Sequence, residues 1–184
     1  MHCATIGKLL VAISLTCLLA WQLVSPPREP EPPREPVQPG EPIENLAVAR
    51  LPQTNGSTSL ADLAGAGCAV FYFFDPSCPA CGAGRDAWRG YRRSYIGRSD
   101  IPLYWISIGS SRDSTMAFID GLDNGFPVYQ VTDKPGIRSA GIGAIPGVWG
   151  VAGGIVQSRV TSVSMTSPDD LEADVSWCPE GQAP

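Results

Sequence analysis

Cys78 and Cys81 are the residues of this chain whose type and spacing best suit chemistry. A CxxC pair can be a structural disulfide, half of a zinc site or a reactive dithiol. A disulfide that closes so short a loop constrains the unfolded chain little, which argues against a structural disulfide. A zinc site would have to recruit Cys68 and Cys178, because the only histidine is His2, at the extreme N-terminus. The reactive dithiol is therefore the favoured hypothesis.

The flanking segments predict a buried strand and then a helix. Residues 67–75, GCAVFYFFD, form a continuous apolar and aromatic run, typical of a strand buried on both faces. Aromatic residues then recur at spacings of three and four, which indicates an amphipathic helix, and Pro79 suits its first position. Cys78 would lie at the helix start, where backbone N–H groups and the helix dipole favour a thiolate. Cys81 would lie one turn inward, close enough to resolve a mixed disulfide on Cys78.

The remaining patterns predict the rest of one domain. A second buried strand is expected at residues 101–109 and a third strand at residues 127–133, with a helix at residues 111–122 between them. Residues 147–160 read as a hairpin that turns at Gly153 and Gly154, and a closing helix is expected from Ser167. Strands that alternate with helices and end in a hairpin predict an α/β fold, with a mixed central sheet and helices on both faces.

Composition narrows the possible functions. The chain has 184 residues, 43% of them hydrophobic, which is enough for one packed domain with appendages. Its formal net charge is -5, so nucleic-acid binding has little electrostatic support. Only one histidine is present, which excludes Ser-His-Asp and Cys-His nucleophile pairs in the body of the chain.

Residues 1–24 predict a membrane anchor. The segment from residue 9 to residue 27 carries no charge, and Lys8 is the only side-chain charge before it. A cleaved signal peptide is the alternative, and a lipoprotein modified at Cys17 is a weaker one. The basic flank is N-terminal, so the positive-inside rule places the rest of the chain outside the cytoplasm. We expect a single-pass protein of the bacterial inner membrane with its C-terminal domain in the periplasm.

Residues 25–42 predict an extended linker, and residues 43–184 the domain. The linker contains eight prolines, two Arg and four Glu, a composition that favours polyproline II over a packed structure. At ~3.1 Å per residue it would reach on the order of 55 Å.

Two stretches carry a resemblance to a known family. Residues 59–88, SLADLAGAGCAVFYFFDPSCPACGAGRDAW, resemble the opening of the thioredoxin-like family, in particular the membrane-tethered TlpA-type thiol-disulfide oxidoreductases. Residues 141–156, GIGAIPGVWGVAGGIV, resemble its second landmark, an apolar residue and a cis-proline before a hairpin. The resemblance implies that Ile145 and Pro146 lie beside the dithiol and that the backbone there pairs with the substrate chain.

The chain departs from the family near the first cysteine. Ser77 stands where many members have an aromatic residue, and Tyr72 where many thioredoxins have a buried carboxylate. Asp75 has two interpretations, a proton acceptor or a strand-end acid that caps the following turn.

The resemblance implies an envelope thiol-disulfide oxidoreductase that exchanges disulfides with protein substrates, for example a reductase in the maturation of cytochrome c or another enzyme. Its partners would be envelope protein thiols or disulfides, a membrane or periplasmic redox partner and the inner membrane, without nucleic acid, metal or organic cofactor. A non-catalytic thioredoxin-fold scaffold of an envelope assembly or maturation complex is the alternative. A peroxidase is a weaker one, because it would need Thr where Asp75 stands.

Two further cysteines belong to the domain. Cys68 begins the first buried strand and Cys178 ends the last predicted helix, in a compartment where disulfides persist. A structural disulfide between them is one hypothesis, and two free thiols are the other.

Overall fold

A computed structural model describes residues 35–53, 56–83, 101–109, 111–120, 125–161 and 177–178. The strands of this part are β1 (Ala47–Leu51), β2 (Ser57–Ser59), β3 (Cys68–Phe74), β4 (Leu103–Ser107), β5 (Val128–Val131), β6 (Gly147–Ala152) and β7 (Ile155–Thr161). The helices are α1 (Leu60–Ala64), α2 (Pro79–Ala83), α3 (Arg112–Asp120) and α4 (Gly136–Ser139). None of these helices is long and apolar enough to cross a lipid bilayer. The predicted anchor, the continuation of the helix beyond residue 83 and residues 167–176 of the predicted closing helix lie outside the described residues. The last two residues of that predicted helix, Trp177 and Cys178, form a turn instead.

One mixed sheet joins the seven strands in the order β2-β1-β5-β4-β3-β6-β7. The pairs β3–β4 and β4–β5 are parallel, and the other pairs are antiparallel. β3, which leads to the dithiol, is therefore an inner strand with a neighbour on each side. The predicted mixed sheet is confirmed, and so is the β6–β7 hairpin, which turns at Gly153 and Gly154.

Strand β3 explains why its sequence is apolar without interruption. All seven of its residues are buried. The even-numbered residues belong to one core cluster, which also contains Cys81 of α2 and Phe118 of α3. The odd-numbered residues belong to the cluster on the opposite face, which contains Leu60 of α1. The predicted helices on both faces of the sheet are thus confirmed.

Helix α1 and the strands before it were not predicted, although the sequence carries a signal for α1. The backbone N–H of Asp62 donates to Ser59 Oγ at 3.0 Å, and the N–H of Ser59 donates to Asp62 Oδ2 at 3.1 Å. Ser and Asp three residues apart, ahead of an apolar pattern, form a capping box that starts a helix.

Residues 35–42 correct the predicted boundary of the linker. Val37 is fully buried, and the N–H of Gly40 donates to the carbonyl of Val156 at 2.7 Å. Pro42 forms an isolated bridge with Ile155 of β7. Residues from Val37 onward therefore pack as part of the domain, earlier than the predicted start at residue 43. The physical reason is that Val37 supplies an apolar side chain for burial, which the count of prolines conceals.

Candidate functional site

A tight turn connects β3 to the first cysteine of the pair. The N–H of Cys78 donates to the carbonyl of Asp75 at 3.0 Å. The Asp75 carboxylate accepts from the backbone N–H of Ser77 at 2.8 Å and from the Ser77 hydroxyl at 2.7 Å. Asp75 therefore caps the turn, which is one of the two interpretations given for it above. The turn places Cys78 just beyond the C-terminal end of β3.

Helix α2 places the two sulfur atoms in different surroundings. Cys78 is half-buried, whereas Cys81 is fully buried in the core cluster. The N–H of Cys81 donates to Cys78 Sγ at 3.4 Å, and both residues are free thiols. The N–H of Gly82 donates to the carbonyl of Cys78 at 3.2 Å, which continues the helical pattern from the first cysteine. Reagents can thus reach one sulfur, while the other lies behind it.

Burial controls the protonation of the inner cysteine. It raises the pKa of the Cys81 thiol to about 12, with smaller upward contributions from Cys78 and from the charge of Asp75. Removal of a buried thiol's proton leaves a charge in an apolar environment, which is unfavourable. Cys81 is accordingly a protonated thiol near neutral pH.

The loop before β6 brings Ile145 and Pro146 to the dithiol. The Ile145–Pro146 peptide bond is cis, in agreement with the family resemblance. The Sγ of Cys78 lies 3.9 Å from the carbonyl oxygen of Ile145, in a long thiol-to-carbonyl contact. Pro146 is buried, and Ile145 packs against both core clusters. Residues 67 positions apart in the chain are therefore neighbours at the site.

A second layer, which the sequence analysis missed, supports the turn before Cys78. Gly109, just after β4, lies against Pro76, and a Cβ at Gly109 would be 2.7 Å from Pro76 Cδ. The Lys134 ammonium donates to the carbonyl of Ile108 at 2.9 Å and also to that of Gly109. Gln130 Nε2 donates to the same Gly109 carbonyl at 3.0 Å. Because β3 and β4 are parallel, their C-terminal ends lie side by side. The order of predicted strands could therefore have indicated that the loop after β4 contacts the turn before Cys78.

Lys134 is also electrostatically coupled to the turn. Burial lowers the pKa of Lys134, and the negative charge of Asp75 opposes that effect. The charge of Asp75 therefore acts on two groups, since it raises the pKa of the Lys134 ammonium and that of the Cys81 thiol.

Cys68 and Cys178 are joined by a disulfide with a Cα–Cα distance of 5.9 Å. Cys68 begins β3 and Cys78 follows its other end, so the disulfide and the dithiol lie at opposite ends of that strand. The bond removes two of the four ligands that the zinc hypothesis needs. Within the described residues, no group of three or more His, Cys, Asp or Glu side chains is placed to hold a metal ion.

Tyr72 fills the place where many thioredoxins have a buried carboxylate. It is fully buried in β3. Its ring packs edge-on against Trp105 at a centroid distance of 4.7 Å and is stacked on Phe74 at 5.7 Å. The position six residues before Cys78 is thus part of an aromatic core.

Comparisons with solved structures give consistent likenesses at low identity. The thioredoxin domain of a thiol-disulfide oxidoreductase from Bacteroides vulgatus has a TM-score of 0.59 and 14% identity, over 76% of this chain and 96% of that chain. A thiol:disulfide interchange protein from Bacteroides sp. has a TM-score of 0.59 and 15% identity, over 76% and 88% of the two chains. A secreted disulfide oxidoreductase of Mycobacterium tuberculosis, described as homologous to DsbE of E. coli, has a TM-score of 0.54 and 17% identity, over 70% and 92%.

Sequence comparison adds nothing to these likenesses, because no protein-family profile and no curated protein sequence matches the chain. The structural neighbours match the fold of this chain at TM-scores of 0.54 to 0.59. The chain therefore has the thioredoxin-like fold.

Proposed function

We propose that this chain is a thiol-disulfide oxidoreductase that exchanges disulfides with proteins through Cys78 and Cys81. One observation carries the proposal: the half-buried Cys78 thiol has the buried Cys81 thiol one helical turn behind it and the Ile145 carbonyl beside it. The similar folds belong to proteins described as thiol-disulfide oxidoreductases and interchange proteins, which supports the same chemistry here.

The exchange needs only the two cysteines and the substrate. In the reducing direction, the Cys78 thiolate attacks one sulfur of a substrate disulfide, forming a mixed disulfide and releasing one substrate thiolate. Cys81 then gives up its proton and attacks the sulfur of Cys78, which breaks the mixed disulfide and releases the second substrate thiolate. Two electrons pass to the substrate, and the protein retains a Cys78–Cys81 disulfide. Every step reverses when a substrate dithiol reduces that disulfide, so no metal or organic cofactor takes part.

In this proposal Ile145 and Pro146 form the docking site for the substrate chain. The Ile145 carbonyl lies near Cys78 Sγ, where an extended peptide that carries the reacting sulfur would pass. Backbone hydrogen bonds to such a peptide supply affinity that depends little on its side chains. This arrangement suits a protein substrate better than a small thiol.

The location completes the proposal. Residues 1–24 anchor the chain in the bacterial inner membrane, the proline-rich residues that follow act as a spacer, and the domain faces the periplasm. A reducing role in the maturation of cytochrome c or another envelope enzyme follows by analogy with tethered TlpA-type proteins. Membrane fractionation with protease protection tests the location: a cytoplasmic domain would contradict it. A reduction potential near that of thioredoxin, about −270 mV, supports the reducing role, whereas a value near that of strong oxidants, about −120 mV, contradicts it.

Insulin reduction by the purified full-length chain, with dithiothreitol supplied to re-reduce the Cys78–Cys81 disulfide after each cycle, tests the activity. We expect Cys78→Ser to abolish turnover, because it removes the attacking sulfur. The double variant Cys68→Ala/Cys178→Ala is the matched control, since it also removes two sulfurs but at the far end of β3, and it should retain activity. Cys81→Ser should accumulate a mixed disulfide with insulin on non-reducing gels. Equal turnover by the unaltered chain and Cys78→Ser, or none by either, would refute the proposal.

A further inference from the structure

Resting on the proposed function, we propose that residues 35–43, here called the strap, position the substrate-docking loop of residues 140–146. The strap is the segment that precedes β1, and most of it has the composition of a spacer. Two sets of contacts attach it to the β6–β7 hairpin and to the loop that ends at Ile145 and Pro146, and a third set lies within the strap itself.

The first set attaches the strap to the β6–β7 hairpin. The carbonyl of Val156 accepts from Gly40 at 2.7 Å, and the N–H of Val156 donates to the carbonyl of Glu41 at 2.9 Å. The N–H of Ile43 donates to the carbonyl of Gly154 at 2.9 Å. These backbone bonds give one half of the strap a fixed register along β7.

The second set attaches the other half to the docking loop. The N–H of Val37 donates to the carbonyl of Gly141 at 3.1 Å, and the Val37 side chain is fully buried. Gly141 has φ +66°, and a Cβ there would lie 2.7 Å from the Val37 nitrogen. A Cβ at Gly143 would lie 3.1 Å from Pro36 Cγ. Glycine thus lets the loop and the strap approach closely at two points.

The third set makes the strap a defined shape rather than a loose tail. The Gln38 N–H donates to the Glu41 carboxylate at 2.9 Å, and the Gln38 side-chain amide donates to the carbonyl of Pro36 at 2.8 Å. Both bonds lie within the strap. Its internal contacts and its contacts to the domain therefore support one conformation.

The consequence concerns Ile145. Gly143 and Ala144 are exposed, so the loop just before Ile145 has little cover on its outer side, and the strap contacts at Gly141 and Gly143 lie at the start of this stretch. Val37 joins the same core cluster against which Ile145 packs. A backbone that is already ordered loses less conformational entropy when a peptide pairs with it. The strap is therefore a positioning segment for substrate docking, distinct from the sulfurs that react.

Substitutions that loosen the strap test this role in the full-length chain. Val37→Ala removes buried methyl groups from it, and Gly141→Ala puts a Cβ against its backbone. Both should raise the KM for insulin about 2- to 10-fold, which corresponds to ~0.5–1.5 kcal/mol of lost ordering. Neither should change kcat by more than about twofold or alter the rate at which iodoacetamide alkylates Cys78, because the reacting atoms are untouched.

Matched controls separate this role from a general loss of stability. Val48→Ala removes the same methyl groups from the same core cluster, but in β1, which four strands separate from β7 in the sheet. Gly153→Ala also places a Cβ on a residue with positive φ, +56°, but this Cβ would contact nothing within 4 Å. Both controls should leave the KM within about twofold of the unaltered value. An equal rise in KM in the controls, or no rise in both strap variants, would overturn the proposal.

Hydrogen exchange gives a result that does not depend on activity. Amides of residues 140–145 should exchange faster in Val37→Ala than in Val48→Ala, while amides of β3 exchange equally in the two proteins. If the unaltered chain shows no turnover, the proposed function fails, and the exchange result alone decides whether the strap orders the loop. Equal exchange of residues 140–145 in the two variants would overturn the positioning role. If Val37→Ala fails to fold, Gly141→Ala against Gly153→Ala decides the same question.

Discussion

The backbone N–H of Cys81 donates a hydrogen bond to the sulfur of Cys78 at 3.4 Å. This bond fixes the separation between a residue that reagents can reach and one that is fully buried. The two sulfurs have the same chemistry in the unfolded chain, so any difference in their reactivity is a property of the fold.

The first prediction concerns the order of alkylation. Between about pH 7 and about pH 9, iodoacetamide should label Cys78 and spare Cys81 in the reduced, folded protein, because only a thiolate reacts. Burial raises the pKa of Cys81 to about 12, so that thiol keeps its proton throughout this range. Peptide mass spectrometry measures both sites. In guanidinium the two cysteines should label at similar rates, and similar rates in the folded protein would contradict the prediction.

The same pKa predicts how stability depends on pH. The folded-state pKa of Cys81 lies above the ordinary value of 9.0, so the folded state binds this proton more tightly than the unfolded state. The stabilising contribution is complete below about pH 9 and is lost as the pH rises towards about 12. Denaturant unfolding of the reduced protein should therefore show a steeper loss of stability above about pH 9 than Cys81→Ala shows. Parallel pH profiles for the two proteins would show that the buried thiol contributes nothing.

Asp75→Asn should make Cys81 easier to deprotonate without breaking the turn. Asparagine keeps an oxygen that can accept from the Ser77 N–H, but it removes the charge that raises the pKa of Cys81. The pKa of Cys81 should fall and yet remain above its ordinary value, because burial is the larger cause. The pH dependence of Cys81 alkylation in a Cys78→Ala background measures the change. Asp120→Asn, an exposed acid at the end of α3, is the control and should have no effect.

Two glycine substitutions near the site should have opposite effects on stability. A Cβ at Gly109 would meet Pro76 Cδ at 2.7 Å, so Gly109→Ala should destabilise the protein by about 1–3 kcal/mol through overpacking. It should also slow alkylation of Cys78, since the displaced Pro76 belongs to the turn that carries this cysteine. A Cβ at Gly82 would meet nothing within 4 Å in helix α2, so Gly82→Ala should stabilise by about 0.5–1 kcal/mol. Chemical denaturation checks both signs, and a loss of stability in both variants would contradict the reasoning.

Local patterns predicted the elements that present the dithiol. The apolar run of β3 and the glycine pair of the β6–β7 hairpin act through side-chain periodicity and turn geometry, which neighbouring residues determine. The pairing of Cys78 with Ile145 spans 67 positions, and only the family resemblance made it predictable.

Other features could not be read from local sequence. The contacts of Lys134 with the loop after β4 and of Val37 with Gly141 depend on which chain segments meet in the folded sheet. The start of the domain was predicted too late, because the proline content of residues 25–42 describes the segment as a whole and does not reveal that Val37 within it is buried.

The last prediction separates the structural disulfide from the reactive pair. The Cys68–Cys178 bond closes a sequence separation of 110 residues, and loop-closure entropy assigns such a bond ~4–5 kcal/mol of stability. Without reductant, Cys68→Ala/Cys178→Ala should be less stable than the unaltered chain by about that amount in denaturant unfolding.

In dithiothreitol the difference in stability between the two proteins should largely disappear, because the unaltered chain then loses the same bond. A difference that persists would mean that side-chain packing, not the disulfide, causes the loss of stability. Insulin reduction by this double variant should continue at temperatures where it is folded, since the seven residues of β3, at ~3.3 Å each, hold Cys68 roughly 20 Å from the end of the strand that carries the dithiol. Loss of turnover in a folded double variant would mean that Cys68 and Cys178 exchange electrons with Cys78 and Cys81, and the assignment of the bond as purely structural would then be wrong.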